Sequence, residues 1–567
     1  MKRLEEMTLE EKVGQKLLFG WQADDAAGPS LSEGYPGAAP EKAATAVNSN
    51  ALRLLRDWKV GGVILMGRNV ESPAQVAALH NAVQAECEIP LFYSTDQEGG
   101  HVCRMKKPFT VMPGAMPLGA TRDVSLAERA ASAVSAELSA IGINLDFAPD
   151  ADVNNNPDNP IIGVRSFGED PALVARMVTA QVTGYQSNGT IACAKHFPGH
   201  GDTAVDSHLG LAVLPWTMDR LRRVELPPFI AAIEAGVDFV MTAHIIFEAI
   251  DSDLPGTLSP KVIDGLLRGE LGYKGVVITD CMEMKGIISR YGIGEAAVLA
   301  VEAGVDILAA CHTPSRQGEI RNALLEAVRR GRIPESRIDE SVERILASKA
   351  KYDLEARRVV DVDSVMKVVG CVDHRALEHE IARRSVTVVK DEAKRIPLRP
   401  GKTLVVGPPD PARALAEEIA SARLFQSLDT APVEHVGIGP AFTNEQLAEV
   451  AAKSAGATAI VVLTKHKEPW TQVPQDEAAQ AEMIKSMIAL DKPVVVAAIR
   501  NPYDIRHFPQ APTYLCTYGY TAASLTALAE VLVGAVEPTG RLPVTLPMDG
   551  AAPIPAAVEE DTTKWGF

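Results

Sequence analysis

The sequence predicts an α/β protein with two units, an N-terminal (β/α)8 TIM-like barrel followed by a C-terminal α/β sandwich of doubly wound type. Three observations carry this expectation. Short apolar runs alternate with helix-length amphipathic stretches over residues 1–351. Polar, chemistry-bearing residues sit at the carboxyl ends of those runs. A second series of apolar runs resumes after residue 390, where the chain has passed through a charged, weakly periodic span.

In chain order, Thr8 and Glu11 form a capping box that opens the first helix. Strands are expected at 60–66, 91–96, 144–150, 191–196, 237–244, 275–280 and 305–310, where apolar and β-branched residues concentrate. Helical patterns lie between them, as in 125–142 and 171–189. Seven strands separated by helices over this length suit a closed parallel barrel better than an open sheet. Asp96, Asp150, Lys195, His196, His244 and Asp280 all fall at strand ends, which a barrel gathers around one mouth. Residues 352–390 read as a linker. Residues 391–567 form the second unit, with runs at 403–409, 459–464 and 493–499. Its glycines make neither GxGxxG nor a P-loop, so no nucleotide cofactor is expected.

Composition bounds the class. A chain of 567 residues is too long for one ordinary core, and 46% hydrophobic with 23% charged residues is globular. A net charge of −17 disfavours nucleic acid and anionic membranes as partners. The N-terminal residues lack the apolar run of a signal peptide, and no stretch approaches the roughly 18 apolar residues of a membrane span. The seven cysteines show no CxxC spacing and read as small core residues in a reducing, cytoplasmic setting. Both a monomer and a homodimer fit this composition.

The segment Lys195–His208, KHFPGHGDTAVDSH, holds three histidines, two aspartates and a lysine, broken by Pro198, Gly199 and Gly201. Such polarity predicts a loop rather than a core element, and the proline and glycines predict that it moves. Three chemistries compete for it. His196 and His200 have the i, i+4 spacing of a helical metal site, but Pro198 and the glycines oppose a helix, so no metal is expected. A solvated loop without chemistry is the second. In the third, Asp206 and His208 point the same way in extended chain, and the carboxylate holds the imidazole as an acid/base.

Four segments are expected to converge at the mouth: DQEGGHVCR (96–104), GVRSFGED (163–170), Lys195–His208 and ITDCMEMKG (278–286). Together with the opening MTLEEKVGQ, with NPYDIRHFP (501–509) and with GRLPVTLP (540–547), they closely resemble the family-three glycoside hydrolases, in particular their β-N-acetylglucosaminidase branch. The resemblance runs over nearly the whole chain. It implies a retaining glycosidase without cofactor that releases terminal, non-reducing β-linked N-acetylglucosamine, with peptidoglycan or chitin fragments as substrates.

On the same resemblance, Asp280 matches the nucleophile, His208 the proton donor and Asp206 its partner. Asp96, Arg104, Arg165, Lys195 and His196 match the residues that hold the sugar. By position alone, Asp96 and Asp280 are both candidates for the carboxylate beneath the developing oxocarbenium ion. The sequence departs from the family pattern at His101, where arginine is usual, and at Cys281 and Met282, where a second acid and leucine are frequent. Alternatives stay open: a phosphorylase with phosphate as acceptor, a β-glucosidase using Glu468 as acid, and a sugar-binding protein without turnover.

Overall fold

The computed structural model describes residues 2–24, 42–204, 210–439, 443–465, 477–490 and 492–557. Its first half is a sheet of eight strands, all paired in parallel. These are β1 (Leu17–Phe19), β2 (Gly62–Ile64), β3 (Phe92–Thr95), β4 (Leu145–Asp146), β5 (Ile191–Phe197), β6 (Phe239–Thr242), β7 (Val276–Thr279) and β8 (Leu308–Ala310). β1 pairs with both β2 and β8, and a bridge from Ile278 to Ile307 joins the remaining two edges. The barrel thus forms as expected, and β1 is the strand that sequence reading passed over.

Alternation along the strands sorts the core into two shells. Leu18, Ile64, Phe92, Cys193, Phe239, Met241, Val276 and Ile278 fill the barrel interior, where Phe92 and Phe239 meet edge to face at 5.1 Å. Phe19, Val63, Tyr93, Ala194, Val240 and Val277 face outward against the surrounding helices. The floor is closed by the helix Glu335–Lys351, which packs Ile345 into the interior cluster. Its Lys349 is fully buried there and donates to Gln15 Oε1 at 2.6 Å. A filled, plugged barrel leaves only the carboxyl mouth for ligands.

Helix starts follow local chemistry. Thr8 and Glu11 form the expected reciprocal cap on Leu9–Gln15, at 3.3 and 2.9 Å. Asp123 and Asp170 cap Val124–Ala140 and Pro171–Ser187, the two long helices anticipated from periodicity. The span 352–390 carries elements of its own, a 3-10 turn at Val362–Lys367 and the helix Val372–Ser385.

The second sheet has six strands: β9 (Thr387–Asp391), β10 (Thr403–Gly407), β11 (Val433–Gly437), β12 (Ala459–Thr464), β13 (Val494–Ala498) and β14 (Thr513–Cys516). Their order is β9-β14-β13-β12-β10-β11, and only the β9–β14 pair is antiparallel. Alternate residues enter two separate cores, Val405, Val461 and Val495 on one face, Val406, Val462 and Val496 on the other. The second core also takes in Met116 and Ala120 of the barrel unit, so one face of this sheet is docked on it.

Polar contacts fix that docking. Thr545 donates its N–H and its hydroxyl to Glu169, each at 2.6 Å, and Asn154 donates to Tyr503 Oη at 2.8 Å. Arg122 reaches the carbonyls of Leu542 and Ala557, each at 3.0 Å. The loop 154–170 at the barrel mouth is therefore braced by the second domain.

Candidate active site

At the ends of β3 and β5 five charged side chains form one network. Glu98, just beyond β3, accepts two hydrogen bonds from Arg165, Nε at 2.9 Å and Nη2 at 2.8 Å. Lys195 Nζ lies 2.5 Å from Glu98 Oε1 and 3.3 Å from Asp96 Oδ1, and Arg104 Nη2 lies 3.3 Å from Asp96 Oδ2. Lys195 and Arg165 are buried, whereas Asp96 and Arg104 retain 18% and 25% side-chain exposure. The solvent-facing end of the network is thus a carboxylate held between two cations.

Burial alone drives the Glu98 carboxyl up, but Arg165 and Lys195 outweigh it and hold the group far below the usual carboxylate range. Glu98 and Asp96 in turn raise Lys195 against its own burial and the nearby Arg165 charge. Sequence reading passed over Glu98 as a site residue in its own right, and treated Arg165 and Lys195 as direct donors to sugar. The structure shows both engaged on Glu98, with Lys195 also reaching Asp96.

Replacing Glu98 with Gln is expected to destabilise the fold by about 3–5 kcal/mol at neutral pH, because two buried cations lose their anion. A carboxylate with a depressed folded pKa supplies stability above its unfolded value, near 4.3, and loses it as pH falls. The deficit of the variant in urea unfolding should therefore narrow below about pH 4. A deficit that does not change with pH would refute an ionic role.

Within the Lys195–His208 segment the expected strand 191–196 extends to Phe197 and residues 198–204 form the expected loop, but a largely buried one. Lys195, His196 and Phe197 belong to β5, and His196, His200 and Thr203 are buried. The segment's first two histidines share one partner, Asp152. Its Oδ2 lies 2.8 Å from His196 Nδ1, and its Oδ1 accepts the N–H groups of His196 at 3.3 Å and of His200 at 2.6 Å. Asp152 stays below its ordinary pKa despite burial, because His196 stands against it. Its neighbour Asp150 is driven well up by burial and by the Asp152 charge. Burial and the nearby His196 lower His200 to about 4, leaving a neutral imidazole.

No helix forms between His196 and His200, whose rings meet edge to face at 5.7 Å. Asp150, Asp152 and His196 place three potential metal-ligand atoms within 4.8 Å of one another. Arg165 Nη2 stands 3.7 Å from Asp150, so a cation already balances this corner. Gly201 has a packing reason to be glycine, since a Cβ there would lie 1.8 Å from the Val153 carbonyl oxygen. Asp206 and His208 lie outside the described residues, as does Glu468.

Asp280 follows β7, two strands round the barrel from Lys195. It is half-buried, its Oδ1 accepts the Cys281 N–H at 2.6 Å, and its own N–H donates to the Thr242 carbonyl at 3.3 Å. His244, after β6, is oriented by Thr257 Oγ1 at 2.8 Å and lies 3.1 Å from the Cys281 carbonyl. The second domain reaches the mouth as well. Burial lowers His101 to about 3, and Arg500 and Lys465 add to it. A cavity of about 610 Å³ between the domains is lined by His101, Arg375, Arg500 and Tyr518 among others.

One mouth therefore carries a half-buried carboxylate at β7, a second carboxylate clamped by cations at β3, and hydrogen-bonding imidazoles between them. This is equipment for gripping a polyhydroxylated ligand. Comparison with known proteins agrees. Over nearly its whole length the chain is 31% identical to "Beta-hexosaminidase A" of Pseudoalteromonas piscicida, covering 95% of this chain and 97% of that protein. It is 31% identical to "Beta-N-acetylglucosaminidase/beta-glucosidase" of Cellulomonas fimi, covering 87% and 89%. The solved β-N-acetylglucosaminidase of Paenibacillus sp. str. FPU-7 superposes with a TM-score of 0.86 at 39% identity, over 96% of this chain and 99% of that one. The models for the glycosyl hydrolase family 3 N-terminal and C-terminal domains match residues 8–348 and 375–563, and the chain belongs to glycosyl hydrolase family 3.

Proposed function

We propose that this protein is a retaining β-N-acetylhexosaminidase that releases terminal, non-reducing β-linked N-acetylglucosamine. The observation that carries the reading is the joint placement of Asp280 and the Asp96–Lys195–Glu98–Arg165 network at one barrel mouth. In this reading Asp280 attacks the anomeric carbon. His208, held by Asp206, protonates the departing oxygen and then activates water.

Asp96, with Arg104 and Lys195 on its two oxygens, accepts hydrogen bonds from sugar hydroxyls, and His196 lines the same subsite. Arg165 acts through Glu98, as a strut that fixes Lys195. The substrates are fragments of peptidoglycan or chitin, met in the cytoplasm. Among the described residues no helix is long and apolar enough to cross a membrane.

The test is turnover of a chromogenic β-N-acetylglucosaminide with the anomeric form of the first product followed by NMR. The expected result is free β-N-acetylglucosamine, in amine and phosphate buffers alike. An α-configured first product would overturn the mechanism. A sugar 1-phosphate formed only in phosphate buffer would make the enzyme a phosphorylase.

A further inference from the structure

The strand ends that carry Asp280 hold a second cluster. Cys281 follows Asp280 beyond β7, and Cys311 and His312 follow β8. The Met282 N–H donates to the Ala309 carbonyl at 2.9 Å, which draws the two strand ends together. As a result Cys281 Sγ, Cys311 Sγ and a ring nitrogen of His312 all lie within 4.8 Å of one another. Cys311 is buried, while Cys281 and His312 are half-buried and so within reach of small solutes.

Surrounding groups hold these three residues by their backbones. Glu283 accepts the N–H groups of His312 at 2.6 Å and of Thr313 at 2.9 Å. Arg68 Nη2 donates to the Cys311 carbonyl at 2.5 Å, Gln22 to the His312 carbonyl at 2.6 Å, and His244 lies 3.1 Å from the Cys281 carbonyl. The three ligand residues are thus held chiefly through their backbones, the one contact from this shell to a sulfur being the long one from Cys281 Sγ to Glu283 Oε2 at 4.0 Å, which suits the outer layer of a cation site.

We propose that Cys281, Cys311 and His312 form a binding site for a soft divalent cation, of which Zn²⁺ and Cd²⁺ are the type, and that occupancy inhibits the enzyme. Two sulfurs and an imidazole are a Cys2His donor set, which leaves a fourth position to solvent. Binding breaks two S–H bonds, forms two metal–sulfur bonds and releases two protons to the buffer. At rest the Cys311 thiol is held protonated, first by its hydrogen bond with Cys281 and then by burial, so it is poorly prepared to act as a nucleophile.

Arg68 Nη1 lies 3.3 Å from His312 Nδ1, a contact that helps to fix the ring. Thiolate donors carry most of the affinity for a soft cation. The Cys281 N–H is bonded to Asp280 Oδ1, so the ion stands one residue from the carboxylate that attacks the sugar. Its charge stabilises that carboxylate as an anion and makes it a weaker nucleophile. The inhibitory half of the proposal rests on the role assigned to Asp280, whereas binding does not.

The experiment titrates the full chain with Cd²⁺ alone and follows the sulfur-to-cadmium charge-transfer absorbance, then repeats the titration with Cys281→Ser, Cys311→Ser and His312→Gln. The expected result is one Cd²⁺ per chain, an absorbance lost in either serine variant, and affinity lowered about 10–100-fold by the glutamine. Zn²⁺ should compete for the site and suppress glycosidase activity until a chelator is added, and Cys311→Ser should keep its activity in Zn²⁺. An absorbance unchanged in both serine variants, or no stoichiometric binding by the folded chain, would overturn the site. Binding as expected with activity unaffected would overturn the coupling to Asp280 alone.

Discussion

Replacing Asp280 with Ala is expected to lower kcat by roughly 10⁴–10⁶, the loss seen when a covalent nucleophile is removed. That corresponds to about 5–8 kcal/mol of transition-state stabilisation. The fold should survive, because Asp280 is half-buried and its carboxylate bonds the adjacent Cys281 N–H. Thermal unfolding should confirm an intact barrel.

The rival nucleophile is Asp96. It stands 3.3 Å from both Lys195 and Arg104, and two cations on one carboxylate drain its nucleophilicity while suiting it to bind hydroxyls. Asp96→Ala should therefore weaken KM and kcat together by a smaller factor. Added azide should restore part of the rate in Asp280→Ala and yield an α-glycosyl azide, since the small anion takes the place of the missing carboxylate. Azide rescue in Asp96→Ala and none in Asp280→Ala would exchange the two roles.

The barrel was legible because parallel strands buried on both faces must be almost wholly apolar, and seven such runs stand out from their flanks. β1 escaped because Leu17–Phe19 is three residues long and merges with the apolar face of the preceding helix. β11 escaped for the opposite reason. As an edge strand it needs no apolar run, and its VEHVG is largely part-exposed.

At the site, Asp96, Lys195, His196 and Asp280 were legible because the barrel fixes where strand ends go. Their partners were not. Glu98 meets Lys195 across nearly a hundred residues, and Asp152 meets His196 across 44. No spacing rule reports such distances. That the loop after Lys195 is buried was illegible for the same reason, since partners such as Asp152 and Glu98 lie elsewhere in the chain. Cys281 and Cys311, thirty residues apart and free of motif spacing, read as core until the strand ends brought their sulfurs together.

The second large effect is expected at His208, which the resemblance assigns as acid and base. Its replacement by Ala should lower the rate by roughly 10²–10⁴ on oligosaccharides, whose alkoxide leaving groups depend on a positioned proton. Aryl glycosides with acidic phenols leave without that help, so their first step should be nearly spared and the covalent intermediate should accumulate as a burst. Asp206→Asn should act through His208, by withdrawing the charge that stabilises the imidazolium. It should lower the rate less than His208→Ala. Values of kcat/KM, which report the first chemical step, on a leaving-group series in the three proteins provide the check. A loss equal for good and poor leaving groups would remove His208 from the proton-transfer step and return that role to a carboxylic acid, with Glu468 the first to test.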